Sequence, residues 1–290
     1  MSRSRSRRAG LAVLVGLATF GSVAPGAGPA RASAPMKAGF HAPAGAVHGG
    51  VVRAAPHNLR AAMANSSNWS GYNIGYLDRG SLFSSISADW IVPTATQRNR
   101  GQAEFSSTWI GIGGGCVDTS CSSTDATLIQ LGTEQDVDAS GVPSYSDWWE
   151  VIPGPSVTVN GVEPGDHVRA TLSQLAPDVW RFSLVDFTHT AGFSGMVPYS
   201  SDETTAEWID ETPLLVGSNS GMATLPNLSR VRFFNATVNG RNALLSPAEA
   251  LQLGGGGTGL PVIATPSVPV PARNGFNDCS YAATCPARPS

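Results

Sequence analysis

The chain has 290 residues, 41% of them hydrophobic and 13% charged. That balance suffices for a packed core and argues against disorder over most of the length. Charge is divided unevenly: residues 1–64 hold eight basic groups and no Asp or Glu, for +8, while residues 65–290 carry −11. An acidic body repels phosphate, so a nucleic-acid partner is not expected.

In chain order, a basic stretch at Arg3–Arg8 precedes a mostly apolar run from Leu11 to Val23, and small residues follow up to Ala34. This is the pattern of a secretory signal peptide, taken as residues 1–32. The apolar run is too short to span a bilayer, and no other segment reaches about 18 apolar residues, so the mature form is expected to be secreted and free of the membrane. Residues 33–64 are rich in Ala, Gly, His and Pro. They read as a basic pro-segment or a disordered spacer. Docking on the acidic body and passive linkage are equally compatible with that composition.

From residue 65 to 253 short β-rich runs alternate with turn residues. The strands expected are Trp69–Tyr76, Ser84–Val92, Ser107–Ile112, Thr127–Leu131, Asp147–Ile152, Ser156–Val159, Val168–Leu175, Trp180–Asp186, Thr204–Ile209 and Val231–Val238. Asn160-Gly161, Pro164-Gly165-Asp166, Pro177-Asp178 and Asn239-Gly240 punctuate them. Many short strands at this spacing indicate an antiparallel sandwich or barrel. Helical signal is confined to a turn or two at Pro247–Leu253. Residues 254–290 are rich in Gly and Pro, and the last twenty read as a tail clipped by cysteines. Cys116, Cys121, Cys279 and Cys285 make an even count in a secreted chain, most simply one short disulfide loop within each pair. Neither pair has a His nearby, so a metal site is not expected.

Several chemistries drop out. A Gly-x-Ser-x-Gly elbow, zinc-protease motifs and Asp-Thr-Gly or Asp-Ser-Gly are all absent. After residue 64 the only histidines are His167 and His189, both expected to be ordinary surface residues. Carboxylate and amide chemistry remains. Three segments group tryptophan with such groups: Thr108–Gly114 with Leu128–Gln135, Tyr145–Glu150, and Thr205–Ile209. Strand alternation turns Gln130 away from Ile129 and Leu131, and Glu207 away from Ala206 and Trp208. Trp208 is expected to be sandwich core.

These segments resemble the eqolisins, the glutamic endopeptidases. The resemblance runs from about Asn68 to Val238. It is carried by Asn68-Trp69-Ser70-Gly71, Trp109–Ile112, Ile129-Gln130-Leu131-Gly132, Trp148-Trp149-Glu150, Ala206-Glu207-Trp208-Ile209 and Val231–Ala236, in family order. It implies an all-β, concanavalin A-like sandwich of two curved antiparallel sheets. It also implies peptide-bond hydrolysis by Gln130 and Glu207 without metal or cofactor, acting on polypeptides as a monomer. Trp69, Trp109, Trp148, Glu150 and Glu134 match positions around the family's cleft. Two departures stand out: Gly113 occupies a position that is often Asp in fungal members, and Glu134 replaces an Asp. A free Glu titrates near 4.3, so an acid optimum is expected. The competing readings are a carbohydrate-binding or glycoside-hydrolysing sandwich, for which Glu150 or Glu134 would have to stand ~5 Å from Glu207, and a degenerate peptidase that only binds peptides.

Overall fold

The computed structural model describes residues 46–47, 63–215 and 221–287. The signal peptide and most of the basic segment lie outside them. The principal strands are β1 (Trp69–Gly75), β2 (Ser85–Ile91), β3 (Ser107–Gly113), β4 (Leu128–Val137), β5 (Pro143–Val151), β6 (His167–Ala176), β7 (Val179–Asp186), β8 (Ala191–Pro198), β9 (Thr205–Glu211), β10 (Val231–Val238), β11 (Ala250–Leu253), β12 (Ala264–Pro266) and β13 (Phe276–Ser280). Among the described residues no helix is long and apolar enough to cross a membrane.

One hydrogen-bonded path runs β8-β7-β6-β2-β10-β13-β12-β11-β1-β9-β3-β4-β5, every neighbour antiparallel. Met63–Ser66 adds to β11 in parallel. The path folds into two layers because alternate residues on each strand are apolar and must find a partner surface. Ile86, Trp90, Val168, Leu172, Trp180, Leu184 and Phe233 from one layer pack in a single core with Tyr72, Ile74, Ile110, Ile112, Ile129, Leu131 and Trp208 from the other. Each large apolar side chain sealed there contributes roughly 1.5–3 kcal/mol. Their few polar atoms are satisfied across the layers: Trp208 Nε1 donates to the Ser87 carbonyl at 3.2 Å and Trp90 Nε1 to Thr133 Oγ1 at 3.0 Å. Trp149 stacks on Phe182 at 4.6 Å between centroids. The fold is thus the β-sandwich anticipated, with Trp208 in its interior.

Elements differ in places from the pattern reading. Pro247–Leu253 is not helical over its length. Pro247–Glu249 forms one 3-10 turn, with Ser246 and Glu249 in a capping box, and Ala250–Leu253 then joins the sheet as β11. A single turn cannot propagate where the next residues have a sheet edge to pair with. Thr127–Leu131 extends to Val137. Gly/Pro-rich residues 254–290 contribute β12 and β13, which bridge the layers between β10 and β11. Cys116–Cys121 and Cys279–Cys285 are both disulfide-bonded.

Candidate active site

Each strand of the β1-β9-β3-β4-β5 layer has a second face, turned away from the interlayer core. Register aligns one row across it. Asn73 on β1 pairs with Glu207 on β9, Glu207 with Gly111 on β3, Gly111 with Gln130 on β4, and Gln130 with Glu150 on β5. Strands lie about 4.8 Å apart, so Glu207 and Gln130 rise from the same face with backbones roughly 10 Å apart. The residue between them has no side chain. A Cβ on Gly111 would meet the Trp109 ring at 2.8 Å, so the indole leans over the gap and a larger residue would displace it. Sequence alternation had predicted this outward facing for both Gln130 and Glu207.

The two groups differ in environment. Gln130 Nε2 donates to Glu150 Oε2 at 2.8 Å, which fixes which way the amide faces. Both residues are fully buried. Glu207 is fully buried as well, and neither carboxyl oxygen has a hydrogen-bond partner of regular geometry among the described residues. Desolvation pushes its carboxyl well above the ordinary range; the Thr205 hydroxyl opposes that and the Asp125 carboxylate adds to it. A carboxyl held this way keeps its proton at pH values where an exposed Glu is ionised.

The expected aromatic residues lie on the same face. Trp69, Trp109, Trp148, Leu128, Ile209 and Leu251 form a second apolar cluster, distinct from the interlayer core. Trp69 and Trp109 meet edge to face at 4.9 Å. Glu211, which the sequence reading passed over, holds both: Trp69 Nε1 donates to Oε1 at 3.3 Å and Trp109 Nε1 to Oε2 at 2.9 Å. The available signal was Glu211 standing four residues beyond Glu207, on the same strand face. Glu211→Gln can accept from only one indole through its oxygen and turns a donor on the other. It should cost ~1–3 kcal/mol, measurable as a lowered midpoint in thermal unfolding; an unchanged midpoint would remove Glu211 from this role. Glu134, on the Gln130 face of β4, accepts from Ser146 Oγ at 3.1 Å, nearer the Trp148 end than the row itself.

Asn73 was also missed. Its side chain grips the loop that follows β3, donating to the Cys116 carbonyl at 3.0 Å and accepting from the Cys116 amide at 2.5 Å. Gly113 opens that loop at φ 94°, a left-handed conformation that Asp adopts only with strain.

The histidines are elsewhere. His167 Nε2 lies 2.9 Å from Asp89, which also takes two bonds from Arg169. His189 Nδ1 lies 3.1 Å from both Asp166 and Asp186. Each thus partners a buried carboxylate beneath the surface rather than standing alone. Asp166, Asp186 and His189 gather closely enough to ligate a cation, but on the opposite layer from the row.

The outward face of this sandwich thus carries an amide, carboxyls and a tryptophan cluster. Residues 67–258 match the model of the Peptidase A4 family. The chain belongs to that family, the eqolisins, and is a peptide hydrolase. No curated protein sequence matches the chain. Among solved structures, scytalido-glutamic peptidase with a transition state analog inhibitor aligns at TM-score 0.57 and 21% identity, covering 74% of this chain and 98% of that one. Aspergilloglutamic peptidase from Aspergillus niger aligns at 0.46 and 20% identity, over 61% and 99%.

Proposed function

We propose that this chain is a secreted, acid-acting glutamic endopeptidase in which Glu207 takes a proton from water and Gln130 stabilises the oxyanion. The observation that carries this is the register row, with Glu207 and Gln130 on one face and a glycine between them. Once the Trp109 indole moves off Gly111, a water admitted there would reach both groups. Glu207 removes its proton as it attacks the peptide carbonyl, then returns that proton to the departing amine. The Gln130 amide donates to the tetrahedral oxygen, and Glu150 keeps the amide aimed. Trp69, Trp109 and Trp148 would pack substrate side chains. The row disfavours the glycosidase reading, because Gln130 stands between Glu207 and Glu150 and sets those two carboxyls three strand spacings apart, well beyond the ~5 Å of a retaining pair.

The burial of the row fits a latent form. Ala46–Val47, from the basic segment, pair as a strand with Leu214–Leu215, just beyond the end of β9. Residues 33–64 carry Lys37, Arg53 and Arg60 with no carboxylate, +3 against the −11 body; such a segment is held at neutral pH and released as carboxylates take up protons. In the closed form Glu207 is held protonated and cannot act as a base. Hydration on opening returns its carboxyl toward the ordinary range, which places activity in acid.

Digestion of casein or haemoglobin near ~pH 4, close to the free Glu value, tests the reading. Gln130→Ala should lower the rate by about 10²–10³, the effect of one lost oxyanion donor. Full activity in that variant would overturn the assignment, and inactivation of the wild type by a chelator would point to metal chemistry instead.

A further inference from the structure

The loop between β3 and β4 crosses directly over the Glu207 carboxyl. Gly115 lies so close that a Cβ there would fall 2.5 Å from Glu207 Oε1, and nearer still to Asn73 Oδ1. Asn73 and Glu207 are therefore on the same side of the same glycine, as their pairing across β1 and β9 requires. The crossing is tied at several points. Asn73 makes both bonds to the Cys116 backbone. Gly115 N donates to Thr205 Oγ1 at 3.2 Å, and its carbonyl accepts from Asp125 N at 2.9 Å. The Cys116–Cys121 disulfide closes the loop just beyond, and Asp125 is anchored in turn to Thr204 and Thr127. An asparagine with its donor and acceptor both spent on the backbone of one residue is a two-point clamp, which neither Ala nor a carboxylate reproduces.

We infer that Asn73 is a positioning residue for the reaction: by clamping Gly115–Cys116 across Glu207 it shields one side of the carboxyl from water and fixes the direction in which that carboxyl faces along the row. The inference rests on Glu207 being the base. On the row's own face and on its covering loop the ionisable groups are all carboxyls; beyond the β1 edge, Glu249 lies beside Asn73 and is paired with Arg79 at 2.7 Å. Asp118 and Asp125 stand on the loop, Glu211 further along β9, Glu134 on β4 and Glu150 on β5. The same-face positions of these strands and the loop 114–127 contain no Lys, Arg or His. Beside desolvation, Glu207 feels the Thr205 hydroxyl and the Asp125 carboxylate, so moving the loop or placing a charge at residue 73 changes when it ionises.

Two substitutions then act in opposite directions. Asn73→Ala frees the loop, admits water and should move the acid limb of kcat/KM to lower pH. Asn73→Asp keeps the shape and one of the two bonds, but sets a carboxylate beside Glu207, which should move the limb to higher pH. Displacements of half a pH unit or more are expected, with kcat/KM at the optimum down about 10- to 100-fold from misplacement of the base. A purely structural contribution would lower activity without splitting the two limbs. The experiment is the kcat/KM–pH profile of the active enzyme produced from the full-length chain, for wild type, both Asn73 variants and Glu207→Gln. Opposite shifts with an inactive Glu207→Gln support the inference. An inactive Glu207→Gln together with Asn73 limbs that stay put, or move the same way, overturns it while the base assignment stands. An active Glu207→Gln overturns the base assignment and the inference with it. If Asn73→Ala fails to fold, near-isosteric Asn73→Asp alone decides: a limb at or below the wild-type position overturns the inference.

Discussion

Glu207→Gln should lose peptidase activity by roughly 10²–10⁴, the usual contribution of a positioned acid–base group, while gaining stability at neutral pH. Both effects have one cause. Burial without a regular hydrogen-bond partner holds the Glu207 carboxyl well above its ordinary value in the folded chain. A group whose folded pKa is raised binds its proton more tightly when folded. Below the unfolded value both states are protonated and the group is neutral in effect. As pH rises past that value the unfolded chain releases the proton first, and stability falls until the folded group ionises too. Glutamine keeps the shape and carries no proton to lose. Wild type and variant should therefore melt together near about pH 3, below the ordinary Glu value, and separate as pH rises, with the variant higher. A variant that melts below wild type at neutral pH would mean that Glu207 is an ion-paired structural carboxylate, and the catalytic assignment would go with it. The trade is a familiar one: a group desolvated for chemistry costs the fold that holds it.

Much of this layout was legible in the strands themselves. Period-two alternation put Gln130 and Glu207 on the face opposite Leu131 and Trp208, and the family order of motifs placed them near one another. The pairing of rows was not legible, because register depends on partners distant in sequence. Asn73 opposite Glu207 and Glu211 beneath two indoles are consequences of that register. Strand β4, expected over Thr127–Leu131, continues through Gly-Thr-Glu-Gln-Asp to Val137, a polar stretch with no apolar alternation to mark it. In the fold those residues are buried, and their polar groups are met internally: Gln135 Nε2 donates to Thr133 Oγ1 and Thr108 Oγ1 to Gln135 Oε1. Strand β8, Ala191–Pro198, carries two glycines and lies at the exposed edge of the path, so it shows no alternation to detect. Strands β12 and β13 sit among prolines and glycines that read as loose chain. Their strand character comes from the gap between β10 and β11, which only long-range closure reveals.

The closing strand brings the second large effect. Asp278→Asn should raise the unfolding temperature at pH 8 by on the order of 10 °C and leave it nearly unchanged below pH 4. Asp278 on β13 and Asp210 on β9 are both fully buried. Ser70, paired with Asp210 across β1 and β9, and the Cys279 amide favour ionised Asp278. Thr108 Oγ1, at 3.5 Å, does the same for Asp210. Desolvation outweighs these contacts. It pushes Asp278 up to about 7 from an ordinary 3.8, and with the Asp278 charge it lifts Asp210 well above the usual range. Two carboxyls in one dry site are comfortable only while protons remain on them. The sign follows as for Glu207: the penalty is absent below the unfolded value, grows between about 4 and about 7, and is complete above. At ~1.4 kcal/mol for each pH step between the two values, the penalty is on the order of a few kcal/mol, a large part of what a domain has to lose. The pair therefore biases the whole sandwich toward acid, joining Asp210 on the strand that carries Glu207 to Asp278 on a strand outside the row. Thermal unfolding of wild type and Asp278→Asn from pH 3 to 8 checks it. A wild type that gains stability between pH 4 and 7, or an Asn variant with an unchanged profile, would show that the interior carboxyls are ionised and paired after all.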